Sequence, residues 1–274
     1  MVMLGDSSAA GYGVAKPRQT PGGLLATGVS RRLGRPVHLH CLAVVGAASR
    51  HLAPQVEAAL ELAPDLAVII VGGNDITHRH NRAAAIGHLG NAVRALRANG
   101  ARVVVGTCPD LGAITPIRPP LRWLTGRWSR QLAQAQTVAA VEAGAWAVSL
   151  GDLLGPRFAA EPHRMFGVDR FHPSVDGYAT AAAAMLPTVL AALDVVYPRV
   201  VTREQGVRSL PRAAQEASRH AGTEVSGTSV AGRDRGPAGR WAALRLRVAA
   251  AIRPSDALPA QVPGPSTPLI LESR

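Results

Sequence analysis

Several residue types are scarce in this chain of 274 residues. Lys16 is the only lysine among 30 basic residues, so nearly all of the positive charge belongs to arginine. Aromatic residues make up 4% of the chain, which leaves Val, Leu, Ile and Ala to build the core. Cys41 and Cys108 lie far apart in sequence, which argues against a disulfide scaffold and favours buried, unpaired thiols. No apolar run approaches the length of a transmembrane helix.

The net charge of +12 raises the question of a polyanionic partner. Nucleic-acid-binding proteins usually carry a basic patch or stripe. This sequence has no basic block with interleaved aromatic residues, and its preference for arginine over lysine is typical of coding bias in a GC-rich genome. We therefore expect no nucleic-acid partner.

Apolar runs alternate with amphipathic patterns over the first 196 residues. The predicted strands are 1–4, 36–45, 65–73, 101–107 and 145–150, and the predicted helices are 21–34, 49–62, 81–100, 121–143 and 174–196. Strands that alternate with helices indicate a parallel sheet covered on both faces. The predicted fold class is α/β, a three-layer, flavodoxin-like sandwich with a five-stranded parallel sheet.

The composition changes after about residue 200. Residues 201–236 are rich in Arg, Ser, Gly and Thr, as in disordered segments. We predict a domain over 1–198 and a mostly disordered, basic, low-complexity tail rich in Arg, Pro and Gly over 199–274. Within that tail, helical spacing of apolar residues predicts an amphipathic helix at 239–253, which could dock on the domain or lie weakly on an anionic membrane.

Small polar blocks follow the predicted strands. They are Gly5-Asp6-Ser7-Ser8, Gly46-Ala47-Ala48-Ser49, Gly72-Gly73-Asn74-Asp75, and a segment with Asp169 and His172 just before the last helix. In a parallel sheet all four would meet at the carboxyl edge of the strands. Together they supply a hydroxyl, an imidazole with a carboxylate, and hydrogen-bond donors, which is what acyl transfer through a serine requires.

A plainer interpretation exists for each block taken alone. Gly, Asp and Ser are common in turns and helix caps, so the first block could simply end a strand. Asn74 and Asp75 could cap a helix, and Asp6 and Asp75 are expected to organise loops by hydrogen bonds. Only the combination of blocks favours a reactive serine.

The four blocks, in this order, resemble those of the SGNH hydrolase superfamily, also called GDSL esterases: G-D-S, a glycine, G-x-N-D and D-x-x-H. The resemblance spans residues 1 to about 196. Ser8 stands where the family name has leucine, and no asparagine precedes Gly46. The resemblance implies a serine hydrolase that uses no metal and no cofactor.

The resemblance also implies roles for individual residues. Ser7 attacks the ester carbonyl, His172 takes the serine proton and returns it to the leaving alcohol, and Asp169 orients the imidazole. The oxyanion faces the backbone N–H groups of Ser7 and Gly46 and the side-chain amide of Asn74. A serine needs an adjacent base to become nucleophilic, and each lost oxyanion donor typically costs about 3 kcal/mol of barrier.

A second D-x-x-H string occurs at Asp75 and His78. Because Asp75 already belongs to the third block, we favour Asp169 and His172 as the carboxylate and the base. Their spacing of three residues lets one helical turn bring the two side chains together.

The segment 109–128, after the fourth predicted strand, carries large apolar side chains among prolines and arginines. It could be a rigid loop that covers the edge of the core, or it could be a lid or a wall of the acyl pocket. On the second interpretation the substrate contacts are Ile114, Ile117 and Trp123.

The leading hypothesis is a serine esterase that hydrolyses small, short-chain carboxylic esters. An O-acetyl esterase, a thioesterase and a lysophospholipase use the same chemistry, and an inert binding or scaffold protein is the competing class. The expected partner is a small-molecule ester, and we expect a monomer. With no signal segment in view, the sequence favours a cytoplasmic location, although a chain that starts almost inside a strand leaves room for an upstream signal or anchor.

Overall fold

The computed structural model describes residues 1–114, 116–151, 158, 161–195, 200–236, 239–249 and 271–272. Its helices are α1 (Ser7–Ala10), α2 (Pro21–Leu33), α3 (Leu52–Glu61), α4 (Gly73–Thr77), α5 (Arg82–Ala98), α6 (Leu121–Glu142), α7 (Pro162–Met165), α8 (Val175–Ala192) and α9 (Leu210–Ala217). Its strands are β1 (Val2–Gly5), β2 (Leu39–Cys41), β3 (Leu66–Ile70), β4 (Arg102–Gly106), β5 (Trp146–Val148), β6 (Val200–Ser209), β7 (Thr223–Thr228), β8 (Arg235–Gly236), β9 (Gly239–Ala249) and β10 (Leu271–Glu272).

The sheet has the order β2-β1-β3-β4-β5-β7-β9-β6, with β10 beside β2 and β8 beside β9. Strands β1 to β5 are parallel and follow the order 2-1-3-4-5 of flavodoxin-like sheets. Strands β7, β9 and β6 then pair antiparallel. The α/β fold is confirmed, but the expectation of five strands is wrong, because eight strands of three or more residues are present in the described part of the chain.

Helices cover both faces of this sheet. Helices α3, α5, α6 and α9 pack on one face and contribute to one core cluster, whereas α2 and α8 pack on the other face and contribute to a second cluster. Along β1 the side chains alternate between the clusters, since Val2 and Leu4 belong to the first and Met3 to the second. All three are fully buried, as expected for a strand covered on both faces.

Several helices begin at capping residues close to the carboxyl edge of the sheet or beside the site. The side chain of Thr20 accepts a hydrogen bond at the start of α2, Asn81 does so for α5, and Ser174 does so for α8. Each cap satisfies a backbone N–H group that lacks an intrahelical partner. The cap at Ser174 lies two residues after His172 and so fixes where α8 leaves the loop that carries the imidazole.

Residues 200–249 differ most from the sequence prediction. The described residues of this segment form β6, α9, β7, β8 and β9 rather than a disordered tail. The predicted helix at 239–253 is wrong, because Gly239–Ala249 is strand β9, paired with β6 and β7. Residues 250–270 and 273–274 of the predicted tail lie outside the described residues.

The reason for this difference is that apolar and charged residues alternate within the segment that was predicted to be a helix. Leu244 and Leu246 alternate with Arg245 and Arg247, which is the period of a strand with two different faces. Trp241, three residues before Leu244, is also compatible with helical spacing, so the apolar positions alone do not decide between the two structures. The long antiparallel partner β6 decides in favour of the strand.

The extension shares the core of the parallel half. Val225 of β7 and Leu244 of β9 are buried in the same cluster as Val105 of β4 and Leu210 of α9. At roughly 25 cal/mol per Å² of apolar surface, fully burying one such side chain contributes about 1.5–3 kcal/mol. The antiparallel strands are therefore an integral part of the packing on this face of the sheet.

A buried carboxylate holds the extension against α8. Glu224 of β7 is only 1% exposed and forms an ion pair with Arg247 of β9. The hydroxyl of Thr188 on α8 donates to Glu224 at 3.2 Å, and Ser226 donates to it at 3.3 Å. A buried charge needs such partners, since each unpaired ion in a low-dielectric interior costs several kcal/mol.

Although the sequence predicts no apolar run of transmembrane length, helix α8 is long and apolar enough, by length and composition only, to cross a membrane. More than half of it is buried inside the structure, and Met185, Val189 and Leu190 have no exposed surface. These side chains pack in the second core cluster. Helix α8 is therefore accounted for as a core helix.

Candidate active site

Ser7 is the first residue of α1, directly after β1, and the backbone there is tightly fixed. Gly5 has φ +133°, and a Cβ atom at this position would lie 1.8 Å from the carbonyl oxygen of Ile70, so only glycine fits. The side chain of Gln55 clamps Gly5, accepting from its N–H at 2.7 Å and donating to its carbonyl oxygen at 3.0 Å. Asp6 then caps α1 by accepting from the N–H of Ser8 at 2.8 Å.

His172 lies between Ser7 and Asp169. Its Nε2 is 2.9 Å from the Oγ of Ser7, and its Nδ1 is 2.6 Å from Oδ2 of Asp169. Oδ1 of Asp169 accepts from the backbone N–H groups of Phe171 and His172, each at 3.0 Å. The carboxylate therefore holds both the loop and the ring, and an imidazole placed this way can accept a proton from the hydroxyl.

The electrostatics favour an ionised Asp169. Partial burial pulls its pKa upward, but the hydrogen bonds from the ring of His172 and from the two backbone amides outweigh this effect and hold the pKa below its ordinary value. An ionised carboxylate is an acceptor only, so the Nδ1 that it faces carries the proton and Nε2 is left free to accept from Ser7.

Two aromatic rings border the imidazole. The ring of Tyr12 is 4.7 Å from the ring of His172, and that of Phe171 is 5.0 Å away, measured between centroids. The buried hydroxyl of Tyr178 donates to the carbonyl oxygen of Tyr12 at 2.9 Å, and burial raises the pKa of Tyr178, which keeps this donor protonated. Together these contacts restrict the positions that the imidazole can occupy.

Asn74 reaches the same cavity as Ser7 from the start of α4. Its Nδ2 donates to the carbonyl oxygen of Ala47 at 2.8 Å, which leaves the second N–H of this amide available. Gly46 precedes Ala47 in an exposed turn and has φ +83°. Ser7 and Asn74 line the cavity, whereas Gly46 is not among the described residues that do so.

Asp75 and His78 do not form the alternative pair. Oδ2 of the buried Asp75 accepts from the N–H of Ser49 at 3.0 Å and from its hydroxyl at 2.7 Å. His78 instead turns its Nδ1 toward the carbonyl oxygen of Asn74, at 3.0 Å. Asp75 therefore links the second block to the third through hydrogen bonds. The described residues contain no group of three or more His, Cys, Asp or Glu arranged for a metal ion.

Asp6 is a second buried carboxylate directly beside the serine. Burial raises its pKa to about 6, and the nearby charge of Asp75 adds to this, although hydrogen bonds from the amides of Ser8, Gly72 and Gly73 lower it. By accepting from Ser8 on one side and from Gly72 and Gly73 on the other, Asp6 links the loop that carries Ser7 to the loop that carries Asn74.

The cavity next to Ser7 has mostly apolar walls, which include Leu111, Ile114 and Leu150. Ile114 thus lies where a substrate contact was predicted. The structure does not bring the other two candidates to the described wall of this cavity. Ile117 packs beside the cluster of Cys108 and Leu111, and the side chain of Trp123 is 67% exposed at the surface.

Sequence reasoning missed the buried glutamines that support the site. Besides Gln55, Gln136 on α6 accepts from the N–H of Cys108 at 2.7 Å and donates to the carbonyl oxygen of Val71 at 2.8 Å. This fixes the chain just before Gly72, whose φ is +134°. The available signal was a polar residue within the apolar stripe of each helix, because a buried amide must find partners.

Comparison with known proteins places the sequence among related chains. The sequence model of the GDSL-like Lipase/Acylhydrolase family matches residues 3–180. The GDSL-like esterase Rv1075c of Mycobacterium tuberculosis is 46% identical over 184 residues, which are 66% of this chain and 59% of that protein. This chain therefore aligns with less than two thirds of that relative's length.

Solved structures share the fold. The crystal structure of TesA has a TM-score of 0.52 and 23% identity, over 70% of this chain and 96% of that one. LAE5, an alpha/beta hydrolase from the metagenome of Lake Arreo in Spain, has a TM-score of 0.54 and 19% identity, over 70% and 94%. Axe2, an acetylxylan esterase from Geobacillus stearothermophilus, has a TM-score of 0.52 and 16% identity, over 71% and 94%. With the family model covering most of the chain and the fold shared by these structures, this chain belongs to the GDSL-like lipase/acylhydrolase family.

Proposed function

We propose that this protein is a serine esterase that hydrolyses small carboxylic esters through an acyl-enzyme. The observation that carries the proposal is the unbroken chain of hydrogen bonds from Ser7 Oγ through both nitrogens of His172 to Asp169, at 2.9 Å and 2.6 Å. Membership of the family and the esterase relative support the same chemistry.

In this mechanism Oγ of Ser7 attacks the ester carbonyl while Nε2 of His172 takes the hydroxyl proton. Asp169 stabilises the resulting imidazolium without accepting its proton. This attack forms the bond between Oγ of Ser7 and the carbonyl carbon. When the tetrahedral intermediate collapses, the ester C–O bond breaks, His172 gives the proton to the leaving alcohol, and the acyl group stays on Ser7. Water then attacks the acyl carbonyl while His172 takes its proton, and the bond between the acyl carbon and Oγ breaks as His172 returns the proton to Ser7, which releases the acid.

The oxyanion would be stabilised by the side-chain amide of Asn74 and the backbone N–H of Ser7, with Gly46 as the third proposed donor. The hydrogen bond from Asn74 to the carbonyl oxygen of Ala47 supports a role for Asn74, because it fixes the amide in advance of the reaction. Preorganised donors are effective because they need not reorient as negative charge develops.

We further propose that the acyl half of the substrate is short. The cavity beside Ser7 measures about 60 Å³, which is small beside the roughly 300–1,000 Å³ of sites that enclose drug-sized ligands. Its walls include the large side chains of Phe158, Phe171 and Tyr178. A long acyl chain would have to displace them or leave the cavity.

A panel of 4-nitrophenyl esters from acetate to laurate tests this proposal. We expect kcat/KM to be highest for two to four acyl carbons and to fall with length, and Ser7→Ala to abolish hydrolysis of every ester. Ser8→Ala is the matched control and should retain most activity. A protein that prefers laurate would contradict the short-chain assignment, and one that hydrolyses no ester, thioester or acetylated sugar would contradict the esterase itself.

A further inference from the structure

Trp123, which does not reach the acyl cavity, belongs to an exposed apolar surface at the start of α6. Leu121 and Leu124 are also exposed, by 43% and 42% of their surface. Large apolar side chains grouped this closely are unusual on a soluble protein unless they contact something. We call these three residues, together with the arginines identified below, the α6 patch.

The three apolar side chains of the α6 patch are exposed on the side of the helix that faces away from the core. Thr125, Gly126 and Ser129 form the buried side at this point of α6. The hydroxyl of Ser129 accepts a hydrogen bond from the N–H of Leu111 at 3.2 Å. Because Leu111 lines the cavity beside Ser7, the helix that carries the patch is bonded directly to a wall of that cavity.

The charge around these side chains has one sign. Between residues 111 and 141 the sequence contains no Asp or Glu. Arg118, Arg122 and Arg127 flank the apolar side chains in sequence; Arg118 and Arg127 are exposed and Arg122 is half-buried. None of the three forms an ion pair among the described residues, whereas Arg130 on the same helix pairs with Asp110. The arginines of the patch therefore present positive charge that no carboxylate among the described residues neutralises.

We propose that the α6 patch docks the protein on the surface of an anionic lipid bilayer. Trp123, Leu121 and Leu124 would enter the headgroup region, where an amphipathic tryptophan ring is favoured, and the arginines would contact lipid phosphates. A second copy of this chain is a poor partner for the patch, because each chain carries a net charge of +12 and would oppose arginines to arginines. The docked orientation would bring the acyl cavity near the lipid.

This proposal does not depend on ester hydrolysis and places membrane contact in the folded domain rather than in the tail. Because any protein of this charge adsorbs to anionic vesicles, the test compares variants of equal charge. One variant carries Arg118→Gln, Arg122→Gln and Arg127→Gln, and its control carries Arg31→Gln, Arg35→Gln and Arg94→Gln. A second pair compares a double variant, which carries both Leu121→Ser and Leu124→Ser, with the control Val207→Ser. Val207 is an exposed apolar residue of β6.

Vesicle flotation with phosphatidylcholine containing one quarter phosphatidylglycerol measures binding. We expect the triple patch variant to bind about 100-fold more weakly, or about fivefold for each arginine removed, and the control set to weaken binding much less. The double serine variant should bind at least tenfold more weakly than Val207→Ser. Both patch variants should hydrolyse a soluble ester at the normal rate.

Brominated lipids then test insertion. They should quench tryptophan fluorescence of the full chain, and Trp123→Phe should lose most of that quenching. Equal binding by patch and control variants would overturn the proposal, as would quenching unchanged by Trp123→Phe. A change of oligomeric state on mutating the leucines, without a change in vesicle binding, would also overturn it by assigning the patch to contact between copies of the chain.

Discussion

The parallel strands β1 to β5 and the antiparallel strands β6, β7 and β9 share one core but differ in what they bring to the site. Ser7, Asn74 and His172 all lie at the carboxyl edge of the parallel half, where every strand ends on the same side. The antiparallel strands alternate in direction and contribute none of the residues described at the site. Parallel topology therefore concentrates the chemistry, and the extension contributes burial and a paired carboxylate.

The largest effect is expected from breaking the site in the parallel half. His172→Ala removes the proton acceptor of Ser7, and since such residues act as a unit, kcat should fall by about 10⁴-fold or more with the fold intact. Steady-state kinetics and circular dichroism measure the two properties separately. His78→Ala is the control and should reduce kcat little, so comparable losses in both variants would favour the alternative pair of Asp75 and His78.

In the extension, the largest effect should come from Glu224. Glu224→Ala leaves Arg247 partly buried without its carboxylate, and breaking a buried pair in this way costs about 3–5 kcal/mol. Glu204 is 73% exposed and pairs with Arg245 at 3.3 Å, so Glu204→Ala should cost less than about 1 kcal/mol. Urea denaturation measures the free energy of unfolding of both variants. A loss for Glu224→Ala as small as that for Glu204→Ala would show that the Glu224 network does not stabilise the fold.

Leu244→Ala tests whether the extension belongs to the common core. Removing this buried side chain of β9 should lower the free energy of unfolding by about 2–5 kcal/mol, with a single cooperative transition. The exposed Val230 offers a control, and Val230→Ala should have a small effect. Two separate transitions, with only one shifted by Leu244→Ala, would show instead that the domain ends near residue 198 as the sequence predicted.

Much of the parallel half and of its site could be predicted from the sequence, because the signals for them are local. Ser7 stands out because a hydroxyl directly follows the first apolar run, and His172 because an imidazole lies three residues after a carboxylate, just before the last helix. The exposure of Trp123 depends on which side of α6 packs on the core, and the run of apolar residues in 109–128 does not indicate which side that is. The strand at Leu244 was missed because its partner β6 is some forty residues away in sequence.

A smaller and pH-dependent effect is expected from Asp6. Its pKa is raised to about 6, so the folded state binds this proton more tightly than the unfolded state, and its contribution to stability is present at low pH and is lost as the pH rises through about 6. Activity should change in the opposite sense. Below about pH 6 the protonated carboxyl is a weaker acceptor for the three amides than the carboxylate, and the link between Ser7 and Asn74 loosens.

The pH profile of kcat/KM measures this effect. Wild-type activity should fall as the pH drops through about 6, because protonation of Asp6 loosens the link between Ser7 and Asn74. Asp6→Asn should lower kcat about tenfold and make the acid limb less steep, whereas Asp194→Asn, at an exposed ion pair with Arg102, should leave the profile unchanged. An acid limb of unaltered steepness in Asp6→Asn would show that Asp6 does not contribute to it.

Covalent labelling with a fluorophosphonate, followed by peptide mass spectrometry, tests most directly whether His172 and Asp169 activate Ser7 as a nucleophile. We expect one label per chain, on Ser7, with loss of activity in proportion to labelling. His172→Ala should label far more slowly at the same residue. Labelling of Ser8 or of another residue would contradict the role of Ser7 as the nucleophile. An unlabelled Ser7 in an active protein would contradict it as well.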